Sequence, residues 1–512
     1  MEKADVLIIG SGIAGLSLAI KIASSNPEVE VCLMTKKDAM QGSTSLAQGG
    51  IAGVLSLVND SYQSHIQDTL NAGGSLCDKS VVEMVVKEAP MRLAELISWG
   101  VNFDKKSDGS FDMALEGGHQ QARILHHADK TGMEIEQCLW NKVKAFANVK
   151  VMEHCHVIDL WVEKESCIGV KYLDQYNGLV RPFYARNTVL ATGGCGQVFA
   201  NTTNPDVATG DGFAMAARAG ARLANMRFMQ FHPTALFDET GKEKVTFLLS
   251  EALRGYGAHV VNHLQQRFLY DYDTRGELAT RDVLSQAIHD YVKQYKLACV
   301  YLDLRHLNAV KLAQKFPAIV TKLHSLGYDL SYDLIPIMPS AHYACGGVVV
   351  NQKGKTSIAH LYAIGETACT GLHGQNRLAS NSLLEAVVFA HHIAQDILTN
   401  EEEWAVKHPV TEPKQVVLIP YYQKWVMDQL KYIKKEMTML FYTTDFIRAD
   451  LLIERCTSVI NEVEHLLLSG MTGLELLELR NLAQTALLIL DDILIDTPAN
   501  NMQAKVNPIS FY

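Results

Sequence analysis

The sequence predicts an α/β fold built on a doubly wound, Rossmann-like sheet, interrupted by an inserted α+β segment and followed by a C-terminal helical bundle. Three observations predict it: a strand, glycine turn, helix and strand over residues 4–34, later apolar runs that end in glycine, and helical periodicity after residue 410. The 512 residues exceed what one hydrophobic core usually organises, so more than one domain is expected. Composition and pattern place the boundaries at 1–231 with 341–410 for a discontinuous sheet domain, 232–340 for the insert and 411–512 for the helices.

Residues 4–9 form a short apolar run of the kind found in buried parallel strands. Gly10-Ser11-Gly12-Ile13-Ala14-Gly15 follows, helical spacing continues to residue 24, and residues 29–34 make the next strand. Glycines at this spacing are a weak signal alone, but between a strand and a helix they read as a dinucleotide cradle rather than a structural turn. The first glycine permits the tight turn, the second lets the backbone approach a pyrophosphate, and the third lets the helix pack on the strand. The helix N-terminus adds amide donors and a favourable dipole for the anion. One part of the fingerprint is missing: Thr35-Lys36-Lys37 stands where an acid would accept ribose hydroxyls, so Lys36 is the expected nucleotide contact there.

Runs at 187–191 and 360–364 end at Thr192-Gly193-Gly194 and Gly365-Glu366, the strand ends where such sheets bind ligands. Between them, residues 232–340 are polar and rich in Tyr and Arg, which marks the insert. Segments 421–441, 449–469 and 474–490 carry apolar residues three and four apart, as in a helical bundle that packs rather than catalyses.

Composition narrows the function classes. With 48% hydrophobic and 20% charged residues and no fixed-period repeat, the chain is globular. A net charge of −10 counts against a nucleic-acid partner. Ten cysteines without a C-x-x-C pair count against a zinc ribbon, a cysteine-ligated cluster or a thioredoxin-like site; no metal is expected, and a reducing cytoplasm is the natural setting. The apolar run 6–23 lacks a basic leader and is broken by glycines, so it reads as strand, turn and helix, and no membrane partner is expected.

The stretch Gly42-Ser43-Thr44-Ser45-Leu46-Ala47-Gln48-Gly49-Gly50 suits a loop laid against a flat ring and a diphosphate. Together with Thr209-Gly210-Asp211-Gly212 and Asn376-Arg377-Leu378-Ala379-Ser380-Asn381-Ser382-Leu383, it resembles the flavoprotein family of succinate dehydrogenase and fumarate reductase. Glu116-Gly117-Gly118-His119, followed by the run from Arg123 to Gly132, is similar to the L-aspartate oxidase branch of that family. The resemblance implies FAD as cofactor and makes the insert a capping domain. It adds Asp211, Glu366, Ser382 and Leu383 to the cofactor contacts, beside residues 10–15, Lys36 and 43–50. Membrane-complex members carry a flavin-linked histidine at the position of Ser43, so non-covalent FAD is implied. Departing from the family, the tail runs from Asp491-Asp492-Ile493 to Asn507-Pro508-Ile509 without the Ser-Arg-Gly and Asp-Tyr-Pro motifs common in aspartate oxidases.

The resemblance also implies roles at the substrate. Glu116 faces an ammonium group, for which a carboxylate is the natural partner. His232, His342 and Arg377 match carboxylate-binding positions, and Ser250 stands where a threonine is common. Taken singly, each histidine is as readily a satisfied structural one. Arg281 matches the arginine that exchanges a proton with substrate. Glu251 and Arg254, three apart, share a helix face and suit either a proton path to Arg281 or an ordinary ion pair. The activity implied is oxidation of L-aspartate to 2-iminosuccinate, with O2 or fumarate as electron acceptor, the first step of NAD biosynthesis from aspartate. A transient contact with quinolinate synthase is left open. The alternatives are a soluble fumarate reductase and a non-catalytic flavin-binding or electron-transfer subunit.

Overall fold

The computed structural model describes residues 2–238, 245–400, 414–415, 422–443 and 445–495. Its main sheet is centred on β1 (Glu2–Ile9), whose inner residues Val6 to Ile9 are buried. β2 (Val31–Met34) lies parallel on one side, followed by β3 (Val149–Met152). On the other side β1 pairs in parallel with the C-terminal half of β6 (Leu179–Leu190), which also pairs with β11 (Leu361–Ala363). The hairpin strands β4 (Cys155–Glu163) and β5 (Ser166–Asp174) extend the sheet antiparallel to the other half of β6.

Between β1 and β2 runs helix α1 (Ile13–Ser25). Gly10 sits at φ +114°, and a Cβ there would lie 2.1 Å from the Ala191 carbonyl oxygen, so only glycine closes this turn against the end of β6. A Cβ at Gly15 would lie 2.1 Å from the Gly10 carbonyl oxygen; its absence lets α1 sit directly on the turn.

A second, antiparallel sheet joins β7 (Met229–Leu236), β10 (Ile335–Ala344), β9 (Val300–Asp303) and β8 (His259–Val261) in that order. With α4 (Glu251–Gly255) and α5 (Arg281–Tyr295) it encloses its own apolar core, including Leu253, Val260, Leu284, Ile288, Leu302 and Ile335. Strands β7 and β10 run straight through residues 231–232 and 340–341, where composition changes. The two bodies are therefore joined by a hydrogen-bonded ladder rather than by loose linkers.

Helices α7 (Gln423–Phe441), α8 (Phe446–Leu468) and α9 (Leu474–Ile495) follow, and α9 buries Leu477, Leu479, Ala483 and Ala486. They share the main core with the first sheet. Among the described residues no helix is long and apolar enough to cross a membrane.

Candidate functional site

One cleft runs from the N-terminus of α1, past the 42–50 loop, to the junction of the two sheets, and holds about 1770 Å³ of empty space, part of it open to solvent. At one end it is walled by Gly10, Ser11, Gly12, Ile13 and Ala14. Gly12 precedes α1 without supplying a side-chain cap, so the helix presents bare amides to the cleft. Ser11 Oγ donates to the Ala39 carbonyl at 2.6 Å, and Ile13 N donates to Thr44 Oγ1 at 3.1 Å, which pins the loop over the turn.

Two expected wall residues stand elsewhere. Gly15 lies beneath the turn, where its role is packing. Ser45 Oγ donates to the Gly42 carbonyl at 2.9 Å, and the residue is absent from the cleft wall that Ser43, Thr44, Leu46, Ala47, Gln48, Gly49 and Gly50 line.

Lys36 is on the wall, but its ammonium is already engaged, 2.8 Å from each of Thr209 Oγ1, Asp211 Oδ2 and Glu478 Oε1. Burial opposes the charge on Asp211, yet Lys36 and His156 outweigh it and hold that carboxyl well below its usual range. Asp211 also begins helix α3 (Asp211–Arg218), where a carboxylate suits the dipole. Where the fingerprint places an acid after β2, this chain has a lysine that pairs with two carboxylates from distant elements. Glu478, on α9, was not legible as a partner of Lys36, because nothing in a helical repeat says which element its face meets.

Further along, Glu366 is half-buried with Oε1 accepting from Ala344 N at 2.9 Å, and desolvation pushes its carboxyl up to about 7. Ser382 and Leu383 open helix α6 (Asn381–Thr399) at the wall, with Ser382 Oγ accepting from Arg377 Nη1 at 2.7 Å.

At the far end the ionic residues converge. Arg281, the first residue of α5, donates from Nε to Glu251 Oε2 at 2.7 Å, and Arg254 Nη2 lies 3.1 Å from Glu251 Oε1. Helical spacing turns both α4 side chains to one side, so Glu251 bridges the two guanidinium groups, with Arg254 behind it and off the cleft wall. Ser250 caps α4, accepting from Ala252 N at 3.2 Å. Gln230, a residue sequence reasoning passed over beside His232, accepts on Oε1 from Arg281 Nη1 at 3.0 Å and from Arg377 Nη2 at 3.1 Å. One uncharged oxygen therefore holds two cations at the same place.

His232 and His342 face each other from β7 and β10, with ring centroids 5.1 Å apart. Burial first, and then the neighbouring Arg281, push both well below the usual imidazole range, so both are neutral. His232 Nδ1 accepts from Thr234 N at 3.3 Å, which leaves the proton on a buried Nε2 that has no partner among the described residues. Such an orphaned donor marks a place for an acceptor from outside. His342 Nδ1 pairs with Thr203 Oγ1 at 2.7 Å.

Glu116 is buried across the cleft, its Oε2 accepting from Ser380 Oγ at 2.6 Å. Burial, reinforced by Glu251, raises its pKa above the usual carboxylate range. Three guanidinium groups thus face at most two carboxylates, an imbalance that an anionic ligand would relieve. Among the described residues no group of His, Cys, Asp and Glu is arranged to hold a metal ion.

Bare helix amides, a glycine-lined loop and a long cleft reaching an anion-seeking pocket fit a dinucleotide whose flat ring lies beside a small acid. Comparison with known proteins agrees. The FAD binding domain family model matches residues 5–383. L-aspartate oxidase of Yersinia pestis is 41% identical over 505 residues, covering 95% of this chain and 92% of the relative. L-aspartate oxidase 1 of Ralstonia nicotianae is 41% identical over 510 residues, covering 96% and 92%. Among solved structures, a quinol-fumarate reductase with menaquinol molecules superposes with TM-score 0.80 at 28% identity, covering 96% of this chain and 90% of that one. An E. coli quinol fumarate reductase variant gives 0.77 at 28%, covering 96% and 89%. Identity at this level over almost the full length shows that the chain belongs to the L-aspartate oxidase family of FAD-dependent flavoproteins.

Proposed function

We propose that this chain oxidises L-aspartate to 2-iminosuccinate, with O2 or fumarate as the electron acceptor, as the first step of NAD biosynthesis from aspartate. The observation that carries the reading is Glu116, a buried carboxylate facing a pocket whose wall already carries the guanidinium groups of Arg281 and Arg377. A dicarboxylate alone would satisfy the arginines and leave Glu116 without a counter-charge; an amino-dicarboxylate satisfies both.

The described residues of 1–231 and 341–410 form the FAD-binding domain, those of 232–340 the capping domain and those of 411–512 the helical domain; 401–413 and 496–512 lie outside the described residues. Gly10 to Ala14 and the 43–50 loop hold FAD non-covalently, since Ser43 offers no nucleophile matching the family's linked histidine. Bound FAD supplies the acceptor for the hydride that leaves the substrate Cα. Arg377, His232, His342 and Ser250 hold the two carboxylates, and Gln230 keeps Arg377 and Arg281 apart at a fixed spacing. Glu116 receives the ammonium, and its raised pKa makes it a better proton acceptor as the imine forms. In the fumarate direction Arg281 delivers a proton and is resupplied through Glu251 from Arg254. Buried thiols such as Cys32, Cys195 and Cys456 form no disulfide, which supports a reducing cytoplasm. The imine product needs a condensing partner, and a transient contact with quinolinate synthase belongs to this reading.

Stopped-flow mixing of the flavin-loaded protein with L-aspartate, D-aspartate, succinate and L-glutamate tests the proposal: L-aspartate alone should bleach the flavin. No bleaching by L-aspartate would overturn it. The linked Arg281, Glu251 and Arg254 favour a second reading as fumarate reductase, which anaerobic fumarate turnover without any aspartate oxidation would select. Hydrogen peroxide release by the isolated chain would eliminate a purely electron-transferring subunit.

A further inference from the structure

Arg377 is buried, and every hydrogen-bond acceptor it meets among the described residues is neutral: Gln230 Oε1, 3.3 Å from Nε and 3.1 Å from Nη2, and Ser382 Oγ, 2.7 Å from Nη1. Burying a cation on neutral acceptors alone is costly. What lies against it instead is the ring of Tyr343, whose centroid is 4.1 Å from the guanidinium carbon. A desolvated guanidinium over an aromatic face gains more than an exposed one does.

That ring is itself held and polarised. The Tyr343 hydroxyl donates to Glu385 Oε2 at 3.3 Å, with His373 Nε2 lying 3.2 Å from the phenol oxygen and 3.1 Å from the same carboxylate oxygen. Thr370 Oγ1 donates to Glu385 Oε1 at 2.5 Å. Glu385, His373 and Tyr343 are all buried. A phenol that donates to a carboxylate carries more electron density on its ring, which deepens the attraction for a cation above it. Direct pairing of Arg377 with a carboxylate would neutralise it and use its outward N–H groups. The ring does neither, so donors on both terminal nitrogens stay available to a ligand.

We propose that Tyr343, Glu385 and His373 form a positioning unit that keeps the Arg377 guanidinium charged, oriented and open for a substrate carboxylate. The inference rests on the reading of Arg377 as a carboxylate anchor. It places the three residues behind substrate affinity, not behind hydride transfer or flavin retention.

The test is calorimetric titration of the flavin-loaded protein with succinate, alongside steady-state kinetics with L-aspartate. Tyr343→Phe, which keeps the ring and loses the hydroxyl, and Glu385→Gln should each weaken succinate binding about 3-fold; Tyr343→Leu, which loses the ring, should weaken it about 10-fold or more. In each variant KM for L-aspartate should rise in step, while kcat and FAD affinity stay within about two-fold. Wild-type succinate affinity in Tyr343→Phe and Glu385→Gln, with binding lost in Arg377→Met, overturns the positioning unit and leaves the Arg377 reading standing. Unchanged affinity in Arg377→Met overturns the anchor reading itself. Equal losses in kcat, KM and FAD affinity also overturn the proposal, because they mark a merely structural role. If Glu385→Gln does not fold, the near-isosteric Tyr343→Phe decides alone.

Discussion

Arg281 and Arg377 converge on a single amide oxygen, that of Gln230, and this arrangement holds only while Glu251 and the surrounding dipoles offset two adjacent cations. Arg281→Leu should abolish fumarate reduction while FAD stays bound, because the side chain lies at the far end of the cleft from the α1 turn. Anaerobic turnover with a reduced dye and a flavin-to-protein ratio check both halves; loss of flavin on purification contradicts the assignment. Glu116→Gln should lower kcat/KM for L-aspartate by more than 10-fold and for fumarate by far less, since the second substrate brings no ammonium. Equal losses would make Glu116 structural.

A different carboxyl ties stability to pH. Glu136, on helix α2 (Thr131–Val143), is fully buried beneath the 42–47 loop. Burial pushes it up to about 8, and nearby Ser45 opposes this only in part. Because the folded value lies above the unfolded one, the neutral acid favours folding. Its contribution is complete below about pH 4.5 and is lost as pH rises through about 8. Glu136→Gln should therefore be more stable than the parent at pH 8, by on the order of a few kcal/mol, with the gap closing towards pH 5. Chemical denaturation at the two pH values measures this, and a pH-independent difference would contradict it.

At the scale of elements, the strand, turn and helix over residues 2–25 were legible in the sequence, because glycine spacing and a short apolar run are local signals. The periodicity of α7, α8 and α9 was equally legible, but not what α9 carries. Its Glu478 meets Lys36, and its Asn481 donates to Asp211 Oδ1 at 2.9 Å, so the C-terminal helix braces the nucleotide end of the cleft. Glu478→Ala removes one of two carboxylates from a half-buried ammonium and should cost about 1–2 kcal/mol, or a few degrees in thermal midpoint. No change in midpoint would show that Asp211 alone suffices.

Over the whole molecule, two apolar cores meet along a ladder shared by β7 and β10, and the cleft lies at that junction. A cofactor held there without a covalent bond binds the folded chain only, so FAD at about 100 times its Kd should stabilise it by about 2.7 kcal/mol. A thermal midpoint insensitive to added FAD would argue against reversible binding.

The sequence alone determined what depends on neighbouring residues: the parallel-sheet opening, the dinucleotide turn, the helical tail and, through motif resemblance, the FAD-binding family. Only the tertiary structure decided which groups share a space. It turned Ser45 and Gly15 away from the cleft wall, engaged Lys36 with two remote carboxylates, and set Gln230 and Tyr343 against the arginines. Spacing along a chain encodes local geometry, whereas the pairing of buried charges depends on contacts between residues far apart in sequence, which no local pattern records.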